Sequence, residues 1–163
     1  PEVVARTLEG AAAPAAKAAH RLRDVTSMLV IARGMNHATA HELELKLREL
    51  VHLPTNAFSA ADFRHGSIGL VEQGTKLLLV MPSGVTLADM RGLKAEVQER
   101  GGDVTVLSDD PSAGDGPDRV LPIPPGVPEW LTPIPAVVTG QRFAFELALV
   151  STYSTIPPKC LRK

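Results

Sequence analysis

The chain has 163 residues, with Lys+Arg 17 against Asp+Glu 18 and a formal charge of −1. That length fits about one domain, and the near-neutral charge argues against bulk nucleic-acid binding, which needs clustered Lys and Arg. A single cysteine, Cys160, excludes a disulfide framework and a Cys-based zinc site and fits a reducing, cytoplasmic compartment.

Residues 1–24 are alanine-rich, with Glu2, Arg6, Glu9, Lys17 and Arg21 at helical spacing and Pro14 interrupting. We read a linker-like helix, exposed or kinked at the proline. It opens without an initiator Met, as expected for a piece trimmed from a longer chain. Residues 27–33 (SMLVIAR) form a short apolar run ending at Gly34, which reads as a buried strand of a parallel sheet. Residues 38–52 carry Leu43, Leu47, Leu50 and Val51 at helical spacing. Thr39 with Glu42 three residues on is a capping-box candidate, and Pro54 stops the helix. A short segment, 56–59, is given no type, and 60–74 reads as irregular.

Residues 76–81 (KLLLVM) read as a second buried strand, turned by Pro82, Ser83 and Gly84. Thr86 and Asp89 are a second capping-box candidate for a helix that runs through Arg100 and ends at Gly101–Gly102 in a left-handed cap. Residues 103–108 (DVTVLS) read as a third strand, 109–118 as a loop, and 119–123 (RVLPI) as a fourth strand. Six prolines between Pro122 and Pro135 make that fourth strand an edge or end it quickly. Residues 131–152 read as mostly helical, and 154–163 as an irregular tail, basic at its end. The alternation implies an α/β domain over residues 25–153, its parallel sheet covered by helices on both faces. The longest clean apolar runs, 28–32 and 77–81, are five residues each, far short of the roughly 20 that span a membrane.

Several side chains admit more than one reading. Glu42, Lys46 and Glu49 share one face of a 3.6-residue helix. They are either a solvated face with an i,i+4 pair, or a carboxylate–ammonium–carboxylate cluster at the carboxyl end of the sheet that moves a proton on and off carbon. His65 is a surface or satisfied histidine, or a catalytic one. His37 and His41 have i,i+4 spacing but lack a third ligand, so no metal or cofactor is implied. The turn 82–86 is an N-cap or a phosphate cradle, and we favour the N-cap.

Residues 33–52 (RGMNHATAHELELKLRELVH) and 64–71 (RHGSIGLV) together resemble the second sugar-isomerase (SIS) domain of the isomerase half of glutamine–fructose-6-phosphate aminotransferase and of two-domain glucosamine-6-phosphate deaminases. The pattern is Arg-Gly, then Glu-x-x-x-Lys-x-x-Glu, then His-Gly, with 16 residues from Glu49 to His65. The resemblance implies a three-layer α/β/α, flavodoxin-like domain with a mostly parallel sheet of about five strands. It also implies aldose–ketose isomerisation of fructose 6-phosphate or glucosamine 6-phosphate. Glu49 matches the carboxylate that shuttles the proton between C1 and C2, and Lys46 the lysine that tunes it. Glu42 and Arg162 are expected to help bind the substrate. His65 matches the ring-opening histidine, which reaches the site from a second subunit and so implies a homodimer. Lys163, in Leu161-Arg162-Lys163, matches the Schiff-base lysine of the tail. A preceding SIS domain is expected to hold the sugar phosphate. Two departures are Ser67, where the family commonly has proline, and residues 154–159, where it has an acidic turn. The other readings are a non-catalytic sugar-phosphate-binding SIS module and a degenerate domain kept for dimerisation.

Overall fold

A computed structural model describes residues 1–116 and 119–151. Five strands form one sheet in the order β2-β1-β3-β4-β5. They are β1 (Met28–Ala32), β2 (Thr55–Ser59), β3 (Lys76–Val80), β4 (Asp103–Ser108) and β5 (Val120–Pro122). Every pairing is parallel. Five helices accompany them: α1 (Glu2–Arg21), α2 (His37–Lys46), α3 (Ala60–Arg64), α4 (Leu87–Glu99) and α5 (Pro133–Val150). The strand order is that of a flavodoxin-like sheet, and the expected three-layer α/β/α class is observed.

The two-residue period of the strands sorts the core into two layers. Met28, Val30, Ala32, Leu78 and Val80 face α1, α2 and α5, meeting Ala15, Leu43, Leu47 and Phe143. Leu29, Ile31, Leu77 and Leu79 face α3 and α4, meeting Phe63, Met90, Leu93 and Val97. The continuous apolar runs 28–32 and 77–80 follow from this two-sided burial.

Four local features were not expected. The segment 55–59 is a strand, β2, paired Met28↔Thr55 through Ala32↔Ser59. It sits at the sheet edge and is only partly buried, so it carries no apolar run. Residues 60–64 are a helix, started by the Ser59 hydroxyl oxygen, which accepts from the Asp62 N–H at 3.2 Å. Thr39 is not a cap: α2 begins two residues earlier, and the buried Thr39 hydroxyl donates to Asn36 Oδ1 at 3.2 Å. Thr86 does occupy the N-cap position of α4 but makes no side-chain capping bond. The left-handed end of α4 is as expected. Gly101 has φ +89°, and the Gly101 and Gly102 N–H groups donate to the Gln98 and Val97 carbonyls, the two bonds of a Schellman cap.

Helix α1 runs through Pro14 and buries Ala11, Ala15, Ala18 and Ala19 on one face against α5 and the sheet. The small alanine side chains permit that close approach. Helix α5 accommodates Pro133 and Pro135 in its first turn, where the missing N–H groups have no intrahelical acceptor. Among the described residues, no helix is long and apolar enough to cross a membrane.

Candidate functional site

Helix α2 is held against α5 at two levels. At its start, the buried Asn36 donates from Nδ2 to Thr132 Oγ1 at 2.8 Å, and the Thr132 hydroxyl donates to the Glu129 carbonyl at 2.7 Å. In its middle, Leu43 packs directly on Gly140 of α5, where any Cβ would overlap the leucine side chain. These contacts fix the rotation of α2 and turn Glu42, Lys46 and Glu49 away from the sheet.

The three side chains meet as their spacing implies. Lys46 Nζ lies 2.8 Å from Glu49 Oε2 and 3.9 Å from Glu42 Oε1. Glu42 Oε1 also accepts from Gln141 Nε2 on α5 at 2.9 Å, a partner the sequence does not reveal because it lies 99 residues away. The hydrogen bond to Glu49 raises the Lys46 ammonium above its ordinary pKa; desolvation opposes this, and the charges of Glu49 and Glu42 reinforce it. Lys46 is therefore a firm cation that can orient two carboxylates. Glu49 itself is 51% exposed. A carboxylate that moves protons on carbon works best when sheltered, and this face alone does not shelter Glu49.

The backbone beneath Glu49 is not regular α-helix. Residues Leu47–Val51 form a π turn, with the His52 N–H donating to the Leu47 carbonyl, and His52 takes a left-handed φ of 56°. Such a widened turn alters where Glu49 projects relative to Glu42, and π turns recur at functional positions. The expected helix to residue 52 is thus α-helical only to Lys46.

The placement of this cluster differs from expectation. β1 and β2 are parallel, so the helix between them descends from the carboxyl edge of the sheet to its amino edge. Arg48 near the end of this segment reaches Asn56 of β2 at 3.3 Å. Glu49 therefore lies toward the amino edge, not at the carboxyl end.

His65 lies at the other edge. It follows α3, beyond the carboxyl end of β2, with its side chain exposed. β2 alone separates the two levels by about 13 Å, at roughly 3.3 Å per residue. Among the described residues, no hydrogen bond or ion pair joins the His65 side chain to Glu42, Lys46 or Glu49. The neighbouring Arg64 holds this segment: it bonds Asp89 Oδ1 at 2.9 Å and Glu96 Oε1 at 3.1 Å on α4, and Arg33 reaches the same Asp89 at 3.2 Å. Sequence reasoning missed this network, whose only local signal is the arginine preceding the His-Gly pair. Arg162, Lys163 and Cys160 lie outside the described residues.

A recess of about 380 Å³ opens where β1 and β3 diverge, the switch point of the sheet order. Gly34, Met35, Val85 and Trp130 line it. The adjoining turn 82–86 is not an open phosphate cradle. The Ser83 N–H donates to Asp109 Oδ1 at 2.6 Å and the Val85 N–H to Glu129 Oε2 at 3.0 Å. The chain's own carboxylates thus hold both amides, and a Cβ on Gly84 would overlap Glu129. The His37 and His41 rings meet at a 60° tilt with centroids 4.6 Å apart, and among the described residues no three metal-ligating side chains cluster.

The SIS domain family model matches residues 21–151. The chain belongs to the SIS domain family. It is 32% identical over 143 residues to the glutamine–fructose-6-phosphate aminotransferase [isomerizing] of Pyrococcus horikoshii, covering 88% of this chain and 24% of that protein. It is also 32% identical over 169 residues to the enzyme of the same name from Mycobacterium bovis, covering 100% of this chain and 27% of that protein. The SIS domain thus spans about a quarter of the length of the curated relatives it matches. Its fold superposes on the C-terminal domain of the Francisella tularensis glucosamine-fructose-6-phosphate aminotransferase with a TM-score of 0.81 at 19% identity, over 91% of this chain and 42% of that one. The sugar isomerase domain of an RpiR transcription factor from Sphaerobacter thermophilus superposes with a TM-score of 0.70 at 20% identity, over 91% of this chain and 84% of that one. The same fold therefore occurs in an aminotransferase and in a transcription factor, so fold alone does not separate catalysis from sensing.

Proposed function

We propose that this SIS domain supplies the proton-transfer half of an aminosugar-phosphate isomerase, in a glucosamine-6-phosphate synthase or deaminase acting on fructose 6-phosphate or glucosamine 6-phosphate. The observation that carries the reading is the Lys46–Glu49 ion pair flanked by Glu42 on the outer face of α2, in a chain 32% identical to relatives named as isomerising aminotransferases.

In the proposed reaction Glu49 removes a proton from C1 of the open-chain ketose or its C2 imine, giving an enediol or enamine. Glu49, its proton partly exchanged with water, protonates C2 while a second proton passes from the C1 hydroxyl to the C2 oxygen or nitrogen, leaving the aldose. No electrons leave the substrate. Lys46 holds the carboxylate in place and keeps a positive charge beside the developing anion. Glu42, fixed by Gln141, accepts hydrogen bonds from sugar hydroxyls, and Arg162 helps bind the substrate. Lys163 is the proposed Schiff-base amine, brought in by residues 154–163. His65 opens the sugar ring. Because Glu49 and His65 lie at opposite edges of one chain, a site containing both draws His65 from the partner subunit, which supports a homodimer. A second SIS domain would hold the sugar phosphate and shelter Glu49, with α1 as the connecting helix ahead of residues 25–153. The proposed setting is the cytoplasm.

Glu49→Gln in the full-length protein tests this reading. The expected result is a loss of isomerisation of two or more orders of magnitude with substrate affinity nearly unchanged. Retained turnover overturns it.

A further inference from the structure

The amino edge of the sheet carries a cluster that the proposed reaction does not use. Lys76, first in β3, is in register with Asp103, first in β4. Lys76 Nζ lies 2.6 Å from Asp103 Oδ2, and Arg119, just before β5, bonds Asp103 Oδ1. Arg21, at the end of α1, reaches the same carboxylate at 3.2 Å and also bonds Thr105. Lys76 and Arg119 face a recess of about 410 Å³, whose walls include Gln98, Gly101 and Gly102. That volume suits a small molecule. Asp115 also lines the recess, but Lys94 at 2.8 Å and Gln98 already engage it.

Two features distinguish the cluster from a closed ion pair. Among the described contacts Arg119 uses only Nη1, on Asp103 and on the Val104 carbonyl at 3.2 Å. Its Nε and Nη2 donors remain for a planar or tetrahedral oxyanion, which a guanidinium fork fits in bidentate fashion. Lys76 and Arg119 are also a third exposed, at 34% and 33%, so an incoming group can reach them without rebuilding the sheet. Partial burial pushes the Lys76 ammonium below its ordinary pKa, and Arg21 and Arg119 add to the effect. Burial and Arg21 lower Arg119 in the same direction. Positive charge is thus concentrated there at a cost that an added anion relieves.

We propose that this recess is a second ligand site, separate from the α2 face, which takes the phosphate group of a small phosphorylated compound between Lys76 and Arg119. It shares no residue with Glu42, Lys46 and Glu49 or with the turn 82–86. It bridges the starts of β3 and β4 and the approach to β5, so an occupant would tighten that edge.

The test is titration of the ¹⁵N-labelled chain with inorganic phosphate and with pyrophosphate, against chloride at matched ionic strength. Saturable shifts are expected at the Gly74, Gly101 and Gly102 amides, with pyrophosphate binding more tightly. The Lys76→Gln/Arg119→Gln variant is expected to lose at least tenfold in affinity. Should that variant be unfolded, Lys76→Gln alone is expected to lose about threefold, because Arg119 still offers its fork. Glycine amides that stay still, shifts that chloride reproduces, or unchanged affinity in the folded variants overturn the proposal and leave the cluster as a clamp between strands.

Discussion

Replacing Asn36 with alanine removes the polar tie between the starts of α2 and α5. Asn36 is 4% exposed, and its partners Thr39 and Thr132 are 0% and 2% exposed. Two neutral hydrogen bonds vanish, at 2.8 Å to Thr132 and 3.2 Å from Thr39. Each is worth about 1 kcal/mol net, and a buried hydroxyl left unsatisfied costs about 1–3 kcal/mol. Thr132 still donates to the Glu129 carbonyl, so it loses only an acceptor contact, while the Thr39 hydroxyl loses its acceptor outright. The sum is about 2–4 kcal/mol, or a fall in Tm of roughly 4–16 °C at about 2–4 °C per kcal/mol for a domain of this size. Urea unfolding followed by circular dichroism reads the loss directly. A double-mutant cycle with Thr132→Ala isolates the pair, with an expected coupling of about 1 kcal/mol. A loss below about 1 kcal/mol, or strict additivity, refutes the claim that this bond seats α2 on α5.

Three further outcomes follow from the site geometry. Lys46 titrates above 10.5 because Glu49 hydrogen-bonds its charged form, so the stability from that pair is complete below pH 10.5 and fades as the pH rises through the raised value. Glu49→Gln is expected to move the Lys46 NMR titration midpoint downward, and an unmoved midpoint contradicts the assignment. Opening the turn 82–86 with Asp109→Ala and Glu129→Ala, which remove the acceptors of the Ser83 and Val85 N–H groups, is expected to give those amides a phosphate-dependent shift that the parent lacks; the same shift in the parent refutes self-capping by those carboxylates. Gly140→Val drives a side chain into Leu43 and is expected to cost about 1–3 kcal/mol in denaturant unfolding, whereas a neutral effect means α2 can move away freely.

The sheet was legible where burial is two-sided. Runs 28–32 and 77–80 are continuous and apolar because helices cover both faces, and parallel strands follow from that. β2 was not legible, because an edge strand such as Thr55–Ser59 needs no apolar run and its identity lies in pairing with β1. The Glu42–Lys46–Glu49 face follows from helical period alone, and the structure shows those side chains meeting. Its height on the sheet does not follow from period. It depends on α2 running antiparallel to β1, which puts Glu49 near the amino edge. Gln141, the Asp89 and Glu96 partners of Arg64, and the carboxylates on the turn 82–86 come from distant parts of the chain and leave no local pattern. The pair Gly101–Gly102 was readable because a left-handed cap has a residue-level signature.

The central claim is that the carboxylate beside Lys46 carries the proton. Its most direct test is isotope washout: the full-length protein and its Glu49→Gln variant are incubated with fructose 6-phosphate tritiated at C1, and tritium released to water is counted. The account predicts release by the parent and release lowered at least a hundredfold in the variant, with sugar-phosphate affinity kept. Equal release from both contradicts it.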